Sequence, residues 1–229
     1  MTPGKPAPIS RRDRPAKPAL SRDAIVRAAL RILREEGLDR VTMRRLAQEL
    51  DTGAASLYVY VGNTAELRAL MLDELLAGLD LTPVTAPGDW RDRLIAVLNS
   101  YGAALFAYPG LARSALVTRP SGPGYLRLVD GVLALLGTEV PADRAAWAVD
   151  LLLHFATSTA AEQSTREGSA EAADEDDALT AAVLAASPST HPHVAALGPE
   201  LFTGTGEARM TWAFHVLING ILQTPRPAA

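Results

Sequence analysis

The 229-residue chain contains no cysteine, which excludes disulfide frameworks, thiolate metal sites and thiol nucleophiles. No apolar run approaches the roughly 20 residues that a membrane-crossing helix needs. The opening stretch MTPGKPAPISRRDRPAKPAL is basic but lacks the apolar segment of a secretory signal, so a cytoplasmic protein without membrane contact is expected. The sequence also has no glycine-rich phosphate loop, no nucleophile elbow and no HExxH pair. Neither an enzyme nor a cofactor is predicted. His191 and His193 flank a proline in a Pro-rich loop with no third ligand at a telling spacing, so no metal site is predicted there.

What is present is an ordinary globular composition, 48% apolar and 21% charged, with charge unevenly placed. Residues 1–70 hold 13 Lys and Arg against 8 Asp and Glu, whereas residues 71–229 hold 9 against 18. A basic N-terminal third on an acidic body points to local contact with a polyanion. A merely solvated basic tail is the competing reading.

Residues 1–19, rich in Pro, Lys and Arg, read as a flexible arm. Ser21 is an N-cap type ahead of Ile25, Ala28, Ala29, Ile32 and Leu33, which fall at helical spacing, and Gly37 is a stop signal. Thr42 opens a second helix with Met43, Leu46, Ala47 and Leu50 on one face. Asp51-Thr52-Gly53 breaks it, and a short third helix runs from Ala54 to about Val61. Gly62-Asn63-Thr64 caps a fourth, which carries Leu67, Leu70, Met71, Leu75 and Leu79. Further helices are predicted at 89–107, 109–117, 124–136, 142–166, 176–186 and 207–223, separated by Pro109, Pro120, Pro123, Pro141 and Pro188. The acidic stretch 167–178 reads as a mobile loop. No segment alternates as a strand does, so the prediction is an all-α fold: arm 1–19, helical head 20–67 and larger helical body 68–229.

A helix from Thr42, a three-residue turn at Gly53 and a short polar-surfaced helix form the helix-turn-helix pattern. Small side chains at the turn let two helices cross closely. They also let the second helix sit deep in a major groove about 12 Å wide.

The run AIVRAALRILREEGLDRVTMRRLAQELDTGAASLYVYVGNTAELRALMLDEL, residues 24–75, resembles the TetR (tetracycline-repressor) family of bacterial transcription regulators. The helix-one pattern, the Gly37-Leu38 break, the Thr42 start, the Leu46-Ala47 pair and the Ser56-Leu57-Tyr58 core match in register. The body is more weakly similar, at Thr118-Arg119-Pro120, His154-Phe155 and WAFHVLINGI (212–221). The resemblance implies a homodimer that binds a palindromic double-stranded DNA operator and is released by a small-molecule effector of unknown identity. It places Arg44 at a base edge or phosphate, and Ala54, Ala55 and Ser56 at the front of the recognition helix. Tyr58 and Tyr60 fall at phosphates or base edges, and Thr42 caps its helix beside a phosphate. Packing within the head is the competing role for both tyrosines, and Arg45 faces either solvent or phosphate. Arg27, Arg31 and Arg34 read as a solvated face.

Three departures stand out. Asp51 replaces the usual turn glycine, which short polar residues tolerate, and Thr52 replaces an apolar residue. Thr64 stands where a phosphate-gripping Lys is common, so Arg22 and the arm residues Arg11, Arg12, Arg14 and Lys17 are expected to compensate. In the body, Trp147, Leu151, His154 and Phe155 share roughly one helical face and, with Tyr101, are the expected wall of a ligand pocket. A place in the core or in a dimer interface is the competing reading for each. The histidines that serve tetracycline-binding relatives would fall near Asp80 and Ala115, so a magnesium–tetracycline ligand is not expected. Small residues on 142–166 and 207–223 (Ala156, Ser158, Ala160, Ala213, Gly220) predict a four-helix dimer interface. A helical DNA-binding protein without an effector, or a helical enzyme without motif, are the alternatives.

Overall fold

The computed structural model describes residues 19–118, 120–166 and 169–227. Nearly all of the expected arm, Arg119 of the Thr118-Arg119-Pro120 match, and the start of the acidic stretch therefore lie outside the described residues. Among those described, every regular element is helical and no strand occurs, as predicted.

Four helices build the head: α1 (Arg22–Glu36), α2 (Met43–Glu49), α3 (Ala54–Leu57) and α4 (Thr64–Ala77). Ser21 caps α1 by accepting a hydrogen bond from the Ala24 N–H at 3.1 Å, and Gly37 ends it at φ 86°, a conformation glycine adopts without strain. The apolar face read from spacing is buried: Ile25, Ala28, Ala29 and Ile32 pack with Leu46, Leu57, Val61 and Leu67 in one cluster. Burying each large side chain stabilises by about 1.5–3 kcal/mol, which is how so few turns of helix hold together.

The body comprises α5 (Trp90–Phe106), α6 (Pro109–Val117), α7 (Pro123–Leu136), α8 (Ala142–Arg166), α9 (Ala170–Leu184), α10 (Pro192–Leu197) and α11 (Gly206–Gln223). Its cluster joins Leu94, Leu98 and Leu105 to Leu128, Val132, Leu152, Ala156, Phe214 and Ile218. Two elements tie head to body. In α4, Leu67 and Met71 belong to the head cluster and Leu72 and Leu76 to the body cluster, so residues 67 and 68 lie inside one continuous helix. Leu111, at the start of α6, is buried in the head.

Three expectations are corrected. The acidic stretch expected to be a loop starts α9, because Ser169 accepts from the Ala172 N–H (3.2 Å) and Glu171 lies in the first turn, where carboxylates meet the positive helix end. The Pro-rich region near His191 folds into α10, with Pro192 at its first position, a placement that costs no hydrogen bond. The helix of α3 stops at Leu57 and continues to Tyr60 as turn. No single helix among the described residues is long and apolar enough to cross a membrane.

Candidate nucleic-acid interface and ligand cleft

The helix-turn-helix unit is set by local chemistry. Thr42 caps α2 by accepting from the Arg45 N–H at 3.1 Å. Asp51 turns the chain at φ 46°, the left-handed region that short polar residues enter more readily than others. The Thr52 N–H then donates to the Ala47 carbonyl at 2.8 Å, holding the entry of α3 against α2. Leu57 and Val61 are fully buried and anchor the recognition segment from beneath. Ala54, Ala55 and Ser56 are exposed; Tyr58 is 53% and Tyr60 37% exposed. Arg44 is exposed and makes no ion pair among the described residues. The outer surface of the α2–α3 unit is thus built of small residues, hydroxyls and one uncommitted cation.

Other cations are engaged inside the head. Arg45, for which solvent and phosphate were open, pairs with Glu36 (2.6 Å) and Glu49 (3.0 Å). Those carboxylates raise its pKa, and Arg45 followed by Arg31 holds the Glu49 carboxyl below its ordinary value. Arg22 donates to the Tyr60 carbonyl at 3.2 Å and pairs with Glu66 at 2.6 Å. Glu66 also accepts from the Gly62 N–H at 2.7 Å, while Asn63 caps α4 by accepting from the Glu66 N–H at 2.8 Å. Arg22 therefore fastens the end of the recognition segment to the start of α4. Thr64, exposed, is the first residue of that helix and Asn63 its cap. The role of Glu66 was missed, although Asn63-x-x-Glu66 carries the spacing of a capping box.

In the body, a cleft of about 140 Å³ is lined by Tyr101, Ala115, Leu116, Pro120, Tyr125 and, from α8, Asp150, Leu153, His154 and Thr157. At its base the Thr157 hydroxyl donates to the Leu153 carbonyl (2.7 Å), and Thr157 Oγ1 lies 2.8 Å from the Tyr101 hydroxyl. With the threonine proton committed, Tyr101 is the donor of that pair, and its own oxygen stays available as an acceptor. Burial raises the Tyr101 pKa to about 12, which keeps the phenol neutral. Grooves of about 450 Å³ at the head–body joint and about 500 Å³ between α5, α8 and α11 are larger and more open. Neither gathers buried hydrogen-bonding groups as the Tyr101 cleft does.

Of the residues expected to form a pocket wall, Tyr101 and His154 line this cleft and the other three do not. Phe155 packs edge-to-face on Phe214, with ring centroids 5.6 Å apart. Trp147 (55% exposed) and Leu151 face outward. Helical spacing identifies residues that share a face but not which face is buried; Ala145, Ala148, Val149, Leu152 and Ala156 mark the inner side of α8. Ala156 and Ala160 likewise lie in the chain's own core, so they are not free for a partner. The exposed side instead carries Trp147 and Leu151 on α8 and Trp212 (68% exposed) and Val216 on α11. The guanidinium of Arg226 stacks 4.4 Å from the Trp147 ring centroid. At the two positions set against tetracycline-binding relatives, Asp80 accepts from the Thr82 N–H and hydroxyl, and Ala115 lines the cleft.

Comparison with known proteins is consistent along the chain. Residues 25–71 match the model of bacterial regulatory proteins of the tetR family, and residues 82–224 that of the tetracyclin repressor-like C-terminal domain. The HTH-type transcriptional repressor DrrR1 of Streptomyces coeruleorubidus is 36% identical over 126 residues, 55% of this chain and 47% of that protein. The chain thus spans about half the length of that curated relative. The solved structure of SCO7704 from Streptomyces coelicor is 54% identical, covers 93% of this chain and 100% of its own, and superposes with a TM-score of 0.76. The Streptomyces coelicolor TetR family protein ActR, solved in complex with actinorhodin, is 34% identical over 90% of this chain and 96% of its own, with a TM-score of 0.79.

Proposed function

The chain belongs to the tetR family of bacterial regulatory proteins, and from that premise we propose that it represses transcription in the cytoplasm. Two copies bind a palindromic DNA operator, and a small molecule entering the Tyr101 cleft releases them. It acts by binding and not by turnover. The observation that carries the reading is the α2–α3 surface: Leu57 and Val61 are buried beneath it, while Ala54, Ala55, Ser56, Tyr58 and Arg44 face outward.

Alanines allow close approach to base edges and thymine methyls, the Arg44 guanidinium is suited to guanine or phosphate, and the serine and tyrosine hydroxyls suit phosphate oxygens. Thr42, Thr64, Tyr60 and Arg22 border this surface. Arg22 acts first by holding the end of the recognition segment; its half-exposed pair with Glu66 is of the kind worth about 0–1 kcal/mol, so a phosphate competes for it readily.

The second copy is supported by the outward apolar residues. Trp147, Leu151, Trp212 and Val216 lie on two helices that pack together through Phe155 and Phe214, and large exposed aromatics of this kind anchor interfaces. A two-fold pair of such faces sets two heads in consecutive major grooves, about 34–36 Å apart. Release requires that the effector favour a state with the heads wrongly spaced, and a shift from 1:99 to 99:1 needs about 10⁴-fold tighter binding to that state. Effector control is supported by the Tyr101 cleft and by ActR having been solved with actinorhodin.

The test is Ala55→Glu. A carboxylate on the exposed front of α3 opposes the phosphates without entering the core. Operator binding in fluorescence anisotropy is expected to fall by at least about 100-fold, given 1–3 kcal/mol for a disrupted base pairing and added repulsion, with an unchanged melting temperature. Undiminished binding would refute the assignment of this surface.

A further inference from the structure

We propose that the groove at the head–body joint is a second binding site, for a small carboxylate with a flat apolar body. The groove holds about 450 Å³, within the roughly 300–1,000 Å³ of ordinary small-molecule sites. The Tyr101 cleft holds about 140 Å³. The last turn of α1 and the Leu38–Arg40 turn form the head side of the groove, and the end of α5 with the start of α6 forms its body side. The two sides meet tightly. A Cβ at Gly110 would overlap the Leu38 side chain, so only glycine admits this approach of α6 to the turn.

The lining divides by chemistry. Leu33, Leu38 and Ala107 supply apolar surface, while Arg34 from the head and Arg113 from the body supply two guanidinium groups. Arg34, on the side of α1 expected to be solvated, donates to the Tyr108 hydroxyl at 3.3 Å. A hydroxyl does not neutralise it, and the phenol proton stays free to donate to an occupant. Arg34 lies in the last turn of α1, where the helix end alone favours a cation. Arg113 has no such reason. It is exposed in the middle of α6, and its side chain makes no hydrogen bond or ion pair among the described residues. Asp39 is the one acid on the lining, which leaves a net of one positive charge and suits a monoanion. A carboxylate fits best, because a guanidinium grips it through two parallel N–H···O bonds. The leucines then require that the rest of the molecule be apolar.

The test is calorimetric titration of 2-naphthoate into the full chain without DNA, with the uncharged 2-naphthamide alongside. Saturable binding of 2-naphthoate is expected, and the amide should bind at least about tenfold more weakly. Arg113→Gln should weaken 2-naphthoate by about tenfold or more, as loss of a hydrogen bond between charged groups does. Ala107→Trp fills the groove and should abolish binding. Both positions are exposed, so the unliganded variants should melt as the wild type does. At 100 times its Kd, 2-naphthoate should raise the wild-type melting temperature by about 5–10 °C and leave that of Ala107→Trp unmoved. No saturable binding up to millimolar concentrations overturns the proposal, as does equal affinity for acid and amide. Affinity kept in either variant places the probe elsewhere and overturns it too. Should Ala107→Trp not fold, Arg34→Gln takes its place, with the same tenfold loss expected. DNA is absent from the measurement, so failure of the repressor reading leaves this result unaffected.

Discussion

Truncating Leu57 to alanine separates the support of the recognition segment from its outward chemistry. Leu57 is fully buried, in a head cluster distinct from that of the body. A substitution of this kind costs about 2–5 kcal/mol, depending on how far the site collapses. Helix α3 spans four residues and cannot persist on its own, since isolated helices shorter than about 12 residues are marginal. Its anchors are Leu57 and Val61. Taking about 3 kcal/mol, at 2–4 °C per kcal/mol for a chain of this size, the melting temperature should drop by about 6–12 °C. Operator affinity should fall by more than about tenfold at temperatures where the body remains folded, because the recognition segment frays first. Circular dichroism melting gives the first number and anisotropy the second. Val59, 80% exposed two residues later, is the control, and its alanine variant should stay within about 0.5 kcal/mol of wild type. Equal effects at Leu57 and Val59, or none at Leu57, would refute the packing argument.

Two further outcomes are expected. The Tyr101 phenol, raised to about 12 by burial, should give a high-pH step in absorbance at 295 nm, and Tyr101→Phe should abolish that step. Because the folded pKa lies above the ordinary value of 10, this group's contribution to stability is complete below pH 10 and is lost as pH rises towards 12. Deleting residues 1–19 should weaken operator binding and reduce the slope of log K against log salt by about 0.9 for each phosphate that the arm had neutralised; an unchanged slope would show that the arm does not touch DNA.

The head was legible in the sequence because its signals are local. Caps at Ser21 and Thr42, the stop at Gly37 and the spacing of Ile25, Ala28, Ala29 and Ile32 each act within one or two turns. Asp51 was expected to take left-handed geometry, and does so at φ 46°. The body was legible as helices but not as faces. Trp147, Leu151 and His154 align on α8 whichever way the helix is turned, and only the packing of α8 against its neighbours, α6 and α5 foremost, decides that Trp147 points outward. Sequence spacing shows Arg22 and Arg45 as cations facing DNA or solvent. Arg22 pairs with Glu66, 44 residues away, and Arg45 with Glu36, 9 away, besides its neighbour Glu49 one turn on; sequence distance hides the first two pairs. Low apolar content masks the acidic start of α9, although the Ser169 cap and the helix propensity of its alanines both favour a helix there.

The head is proposed to read a specific two-fold DNA site. Its most direct test is titration of the protein onto a fluorescent duplex bearing the inverted repeat from its own promoter, with a duplex of scrambled half-sites alongside. A repressor of this kind should saturate at two chains per duplex, with affinity at least about 10³-fold higher for the repeat than for the scrambled sequence at physiological salt. Equal affinity for the two duplexes, with both falling alike as salt rises, would contradict it and leave only non-specific polyanion binding.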